Sequence, residues 1–225
     1  GSLMHLNRML GRHSDKKAVQ RLIDRVATPY GNLPEAHFAM GLAAANADDL
    51  MHAQGEFQKA LQLRPDWESA ELAYAQLLAR TSPASAIESL NEFLARKPDA
   101  RDARLTLARL LISDQKYDEA RVEFDRLLKE HPDNPDVVYP VAMLALQQGD
   151  AAGARSQLEK LLKLDFPDKS AVHFFLGQLE EEEKKPDLAL DHYRLVTAGD
   201  QYIAARGRAA QILLRQGKRE EAREL

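Results

Sequence analysis

Seven histidines, at positions 5, 13, 37, 52, 131, 173 and 192, are the side chains best suited to move a proton or hold a metal near neutral pH. No two of them share the helical spacing that would pair them as ligands. Glu180 to Glu183, followed by Lys184 and Lys185, is the densest charge run. It reads either as a site for a cation or basic peptide, or as a solvated helix end whose lysines complement the dipole, and the second reading is favoured. Asp187, Asp191 and His192 suggest a metal trio, but acidic residues are expected at a helix start in any case. The phosphate-binding G-x-x-x-x-G-K-[ST], G-x-G-x-x-G, H-E-x-x-H and G-x-S-x-G patterns are all missing. There is no cysteine, which excludes disulfides, thiolate metal sites and a cysteine nucleophile without fixing the compartment. The expectation is therefore no catalytic residue, no metal and no cofactor.

The elements around these residues are helical by composition. Of the 225 residues 44% are hydrophobic, mostly Ala and Leu, and only 6% aromatic, which favours helices over sheets. Charged residues make up 29%, so the chain reads as a folded domain rather than a disordered tail. The net charge of −4 is a poor basis for nucleic-acid binding, which rests on cationic contacts to phosphate. No apolar run reaches the roughly 18 residues of a membrane span, so no membrane insertion by this segment is expected. Gly1-Ser2 reads as a cloning scar, and Lys218 to Leu225 stops within a helical pattern. Both ends suggest a piece of a longer protein.

The organisation is repetitive. Ala53, Ala86, Ala120, Ala154, Ala189 and Ala222 recur at spacings of 33, 34, 34, 35 and 33. Four residues after the first five stand Phe57, Leu90, Phe124, Leu158 and Tyr193. Twelve residues before them stand Gly41, Tyr74, Ala108, Ala142, Gly177 and Ala210, small in five of the six cases. Pro65, Pro98 and Pro132 follow at twelve residues, and Pro167 one residue late. Each unit holds two apolar stripes at helical spacing with a break between them, as at Ser82-Pro83 and Gln148-Gly149-Asp150. Ser82 reads as an N-cap before a proline at the first helical position, and Pro186 can play the same part. Asp66, Asn134 and Asp168 read as caps between units. Pro140 falls about one turn into its helix, which should kink or start late.

This pattern resembles the tetratricopeptide repeat, whose signature runs W-x2-L-G-x2-Y…A-x3-F…P over 34 residues. The first unit reads His37-x2-Met40-Gly41…Ala53-x3-Phe57…Pro65, and the fifth His173-x2-Leu176-Gly177…Ala189-x3-Tyr193. The resemblance implies an all-α solenoid, a right-handed superhelix of antiparallel helix pairs with one continuous core. The units are placed at 34–66, 67–100, 101–134, 135–169 and 170–202, with fragments at 3–33 and 203–225, all in one solenoid domain. In the 3–33 fragment Ala18, Leu22 and Val26 share a helix face ending near Thr28-Pro29-Tyr30-Gly31. Tyr74 at a small position, the extra residue near Phe166 and the missing proline after the fifth unit depart from the pattern. His37 and His173 fall at the aromatic consensus position and read as packing or rim residues.

In this family the first helix of each pair lines the concave surface. The resemblance places Phe38 and Leu42 there in the first unit, Glu68, Glu71, Ala75 and Leu78 in the second, and Arg109 in the third. Tyr139 and Met143 follow in the fourth and Phe174 and Gln178 in the fifth, with Arg208 a polar anchor in the sixth. Phe38, Leu42 and Leu72 cannot form the Lys/Asn/Arg clamp of the chaperone-binding members. Aromatics, Met and Arg are enriched at interface centres. The expectation is a protein or peptide segment held along the groove, the alternative being that these side chains only pack between helices. Stretches such as "VHFFLGQLEEEEKKPDLALDHYRLV" are also similar to long bacterial repeat lipoproteins that gather a periplasmic carboxyl-terminal-processing protease and its substrates. That similarity implies a non-enzymatic adaptor, periplasmic or outer-membrane-attached, with a cytoplasmic location as the alternative. The other reading is the repeat domain of a larger enzyme whose catalytic part lies elsewhere.

Overall fold

The computed structural model describes Arg21 and residues 31–225. The fragment read at 3–33, with Ala18, Leu22 and Val26, lies almost wholly outside the described residues. Among those described there are twelve helices and no strand. They form six pairs: α1 (Pro34–Asn46) with α2 (Leu50–Leu63), α3 (Glu68–Ala79) with α4 (Pro83–Arg96), and α5 (Arg101–Ser113) with α6 (Tyr117–Glu130). Then come α7 (Pro135–Gln147) with α8 (Ala151–Lys163), α9 (Lys169–Glu182) with α10 (Pro186–Arg194), and α11 (Tyr202–Arg215) with the short α12 (Arg219–Arg223). The chain divides into two compact units, one ending at Glu123 and one running Phe124–Leu225.

The turn inside a pair follows one rule with one exception. In five pairs the second residue after the first helix has positive φ: Asp48, Gln115, Gly149, Lys184 and Gly217. The residue after it donates its N–H five positions back, as Asp49 does to Ala44 and Lys116 to Leu111, closing the helix end in a left-handed cap. Between α3 and α4 the turn Arg80-Thr81-Ser82 has no such residue. There Ser82 donates to Leu78, four positions back. Asp49, Ser82, Asn134, Asp150 and Asp168 cap the following helices by accepting from backbone N–H groups two or three residues on.

That exception corrects the register of α3. Ala75, not Tyr74, is the fully buried small residue, and Tyr74 is half-buried with its hydroxyl accepting from Gln58 Nε2 at 2.8 Å. Asp66 does not cap α3, because the helix starts one residue later, with Trp67 at the N-cap and no side-chain bond to it. In α11 the small buried residue is likewise Ala209 rather than Ala210. The small position is therefore Gly41, Ala75, Ala108, Ala142, Gly177 and Ala209, small in every pair. Pro140 does not delay α7, which begins at Pro135 with Asn134 accepting from the Asp136 N–H.

Each unit has its own core. In the first, Met40, Ala43, Ala44, Ala53, Phe57 and Leu77 cluster, with Phe57 burying all but 1% of its surface. Burial of such a ring contributes about 2–3 kcal/mol. In the second, Val138, Ala142, Leu158, Leu161, Val172 and Leu176 form one cluster. A second cluster gathers Leu190, Tyr193, Val196, Ile212 and Leu213. Gly41 and Gly177 are required: a Cβ at either would sit 2.6 Å from the ring of Phe57 or Tyr193.

Candidate protein-binding surface

A polar pair ties the two helices of a pair together beside the small residue. His37 Nδ1 lies 2.6 Å from Glu56 Oε2, and His37 Nε2 lies 2.9 Å from the Gly31 carbonyl. Arg104 donates to Glu123 and, at 2.6 Å, to the Pro98 carbonyl. Ser89 donates to Glu71 at 2.6 Å. His173 and His192 face each other with their Nδ1 atoms 3.1 Å apart. In the fourth pair the first partner is Val138, and the Gln157 Oε1 that would answer it is buried with no partner. Glu71 and Ala75, placed on the groove by the repeat alignment, are buried at 2% and 0%. The one-residue register shift turns Glu71 into the position of His37 and Arg104.

The acidic run is not a solvated helix end. Glu180 is buried and pairs with Arg155, whose Nη2 also donates to Glu183 at 3.0 Å. Glu181 accepts from the Tyr193 hydroxyl and from Arg208 Nη1 at 2.8 Å. Burial and the Glu181 carboxylate push the Tyr193 phenol far above its ordinary range. Among the described residues no three His, Asp or Glu side chains gather as metal ligands, so Asp187, Asp191 and His192 are not brought together as a trio.

On the first helices of unit one, Phe38 is half-buried. Its ring centroid lies 4.7 Å from that of Trp67 and 5.9 Å from that of Phe57. Arg64 lies over the Trp67 ring, 4.7 Å from its centroid, and pairs with Glu35. Leu42 packs beside the Phe57 cluster, and Arg109 is exposed on α5. In unit two, Tyr139 stacks on Phe166 at 5.2 Å, and Met143 packs against the same cluster. Burial, then Asp168, raises the Tyr139 phenol. Phe174 is 8% exposed and meets Phe175 edge-on at 5.7 Å, so its ring is largely committed to packing. Gln178 is half-buried one turn further on, and Arg208 is held by Glu181.

Two contributors escape the repeat alignment. Trp67 and Phe166 both sit in the segment after a second helix, and each covers the aromatic residue of a first helix in its own unit. The signal was present in the lone tryptophan of the chain and in the extra residue beside Phe166. Among the described residues no helix is long and apolar enough to cross a membrane.

A family model described as tetratricopeptide repeat matches residues 77–144 and again 111–179. No curated protein matches the chain. Among solved structures the chain is similar to that titled "Functional Characterization of Pseudomonas Aeruginosa pilF". The TM-score is 0.65 at 19% identity, covering 85% of this chain and 87% of that one. PilW, described as a widely conserved type IV pilus biogenesis factor, gives 0.64 at 16% identity, covering 89% and 93%. MamA (residues 41 to the end) from Desulfovibrio magneticus RS-1 gives 0.63 at 13% identity, covering 72% and 92%. At these identities the likeness is one of fold. The family match, the helix pairs and the small-residue register agree: this chain carries tetratricopeptide repeats, matched over 77–179.

Proposed function

We propose that the chain is a non-enzymatic scaffold that holds a segment of another protein against its first-helix faces. The carrying observation is the aromatic side chains left partly open there, Phe38 beside Trp67 and Tyr139 beside Phe166. Flat rings that are already packed lose little conformational freedom when covered. In unit one Leu42 extends the apolar contact and Arg109 supplies a polar anchor. In unit two Met143 and the edge of Phe174 extend it, with Gln178 and Arg208 as polar anchors. Tetratricopeptide repeats generally bind other proteins, which supports the coarse reading.

The narrower form is an adaptor that brings a periplasmic processing protease to its substrates. Its support is the similarity of the Val172–Val196 stretch to bacterial repeat lipoproteins. A periplasmic or outer-membrane-attached location goes with it. Affinity capture from the source cell, comparing wild type with Tyr139→Ala/Phe174→Ala, tests both forms. Loss of a bait-specific partner with the helical circular dichroism intact is expected. A partner retained by the double variant would rule out the first-helix faces, and recovery of no protease would remove the narrower form.

A further inference from the structure

The second helices of the first two pairs, α2 and α4, border a cleft of about 700 Å³ in unit one, floored by α3. This is within the volume range of clefts that hold small ligands. Gln54, Gln58 and Gln62 line it from α2 at four-residue spacing, which sets them along one helix face. Glu88, Glu92 and Arg96 line the opposite wall from α4 at the same spacing.

Glu71 also lines the cleft, yet it is only 2% exposed. Its carboxylate has one side-chain hydrogen bond among the described residues, from the Ser89 hydroxyl to Oε1. No side chain among the described residues donates to Oε2, which keeps access to the cleft. A carboxylate largely out of water and with acceptor capacity unused is costly to keep ionised. In the pairs His37–Glu56 and Arg104–Glu123 a nitrogen donor stands at the position Glu71 takes here, and the carboxylate stands at that of Ser89. Here that donor is missing. Glu88 and Glu92 add two further carboxylates against the single guanidinium of Arg96.

We propose that this cleft binds a basic segment of a protein, seating one lysine or arginine side chain on Glu71. The incoming cation supplies the donor that Oε2 lacks, which is the kind of hydrogen bond that is strongest. The glutamine row carries both donors and acceptors and so can pair with the backbone of an extended segment of any sequence. Gln58 is positioned for this by its bond to the Tyr74 hydroxyl. The surface is separate from the first-helix aromatic sites, so it stands or falls independently of them.

The test is fluorescence anisotropy with short, capped, fluorescein-labelled Gly/Ser peptides that differ only at one central residue: arginine, lysine, norleucine or glutamate. The arginine and lysine peptides should bind. The norleucine peptide should bind about tenfold more weakly, the equivalent of one charge-assisted hydrogen bond. Glu71→Gln and Glu92→Gln should each weaken the arginine peptide, and Val122→Ala, exposed and away from the cleft, should not. Glu92 is exposed, so its substitution does not threaten folding. Saturation by none of the peptides, equal binding of norleucine and arginine, or full binding by a helical Glu71→Gln protein would each overturn the proposal.

Discussion

His37 Nδ1 sits 2.6 Å from Glu56 Oε2 across the first helix pair, and Arg104 meets Glu123 across the third at the same nineteen-residue separation. Both side chains also reach a carbonyl six residues earlier, so each fixes the angle of its pair and the turn leading into it. Ser89 and Glu71 complete the set at a separation of eighteen, because α3 ends one residue sooner after Ala75 than α1 does after Gly41.

These pairs make an energetic contrast. The Arg104 and Glu123 side chains are 7% and 14% exposed, so removing Arg104 takes a charged hydrogen bond from a carboxylate largely shielded from water. Arg104→Met should cost about 3 kcal/mol, and Arg104→Met/Glu123→Leu should recover much of it. Gln157 already stands opposite an apolar residue with Oε1 unpaired, so Gln157→Leu should gain about 1 kcal/mol. Urea unfolding measures all three. A neutral Arg104→Met, or a destabilised Gln157→Leu, would contradict this reading.

The His173–His192 pair makes the fold sensitive to acid. Burial lowers both imidazoles below their ordinary 6.5, His192 and Lys169 adding to the effect at His173 and Arg155 at His192. Glu180, Asp191 and Glu159 work the other way at His192. A lowered value means the unfolded chain binds more protons, so this stability is lost as pH falls below 6.5. Melting temperature should drop between neutral and acid pH, and His192→Gln should flatten the drop. An unchanged slope in that variant would assign the acid response elsewhere.

Glu71 carries the opposite sign. Burial raises its carboxyl above 4.5, against the pull of the Ser89 hydrogen bond. Its contribution is fully present below that value and is lost as pH rises. Glu71→Gln should therefore match or exceed wild type in melting temperature at neutral pH, and lose any advantage in acid. A variant less stable at neutral pH would show that the ionised acid is already well satisfied.

The left-handed turn residues give a fourth handle on stability. Gly149→Ala at φ 73 should cost about 1 kcal/mol, and Gln115→Gly at φ 60 should gain up to about the same. Thr81→Gly, in the turn without a left-handed residue, should gain nothing. Thermal unfolding of the three variants settles the ranking.

The period, the helix pairing and the buried Phe57, Leu90, Phe124, Leu158 and Tyr193 were legible in the sequence, because close packing at a small residue leaves a mark of residue size. The register of α3 was not. Tyr74 and Ala75 are adjacent, and only the way α3 closes, four rather than five residues back, decides which one faces the partner helix. The polar pairs were hidden for a related reason: His37 and Glu56 are nineteen residues apart, and nothing local links them. Glu180 to Glu183 looked like one charged face, but successive helical residues point different ways, which buries Glu180 and exposes Glu182.

The central claim is that a partner protein lies on the first-helix faces. Site-specific photo-crosslinking tests it most directly, with benzoylphenylalanine placed at Phe38, Tyr139 and, as second-helix controls, Met51 and Val122, the last two 80% and 51% exposed. Partner adducts are expected from positions 38 and 139 and none from 51 and 122. Adducts confined to 51 and 122, or no adduct from 38 and 139 in a folded protein, would contradict it.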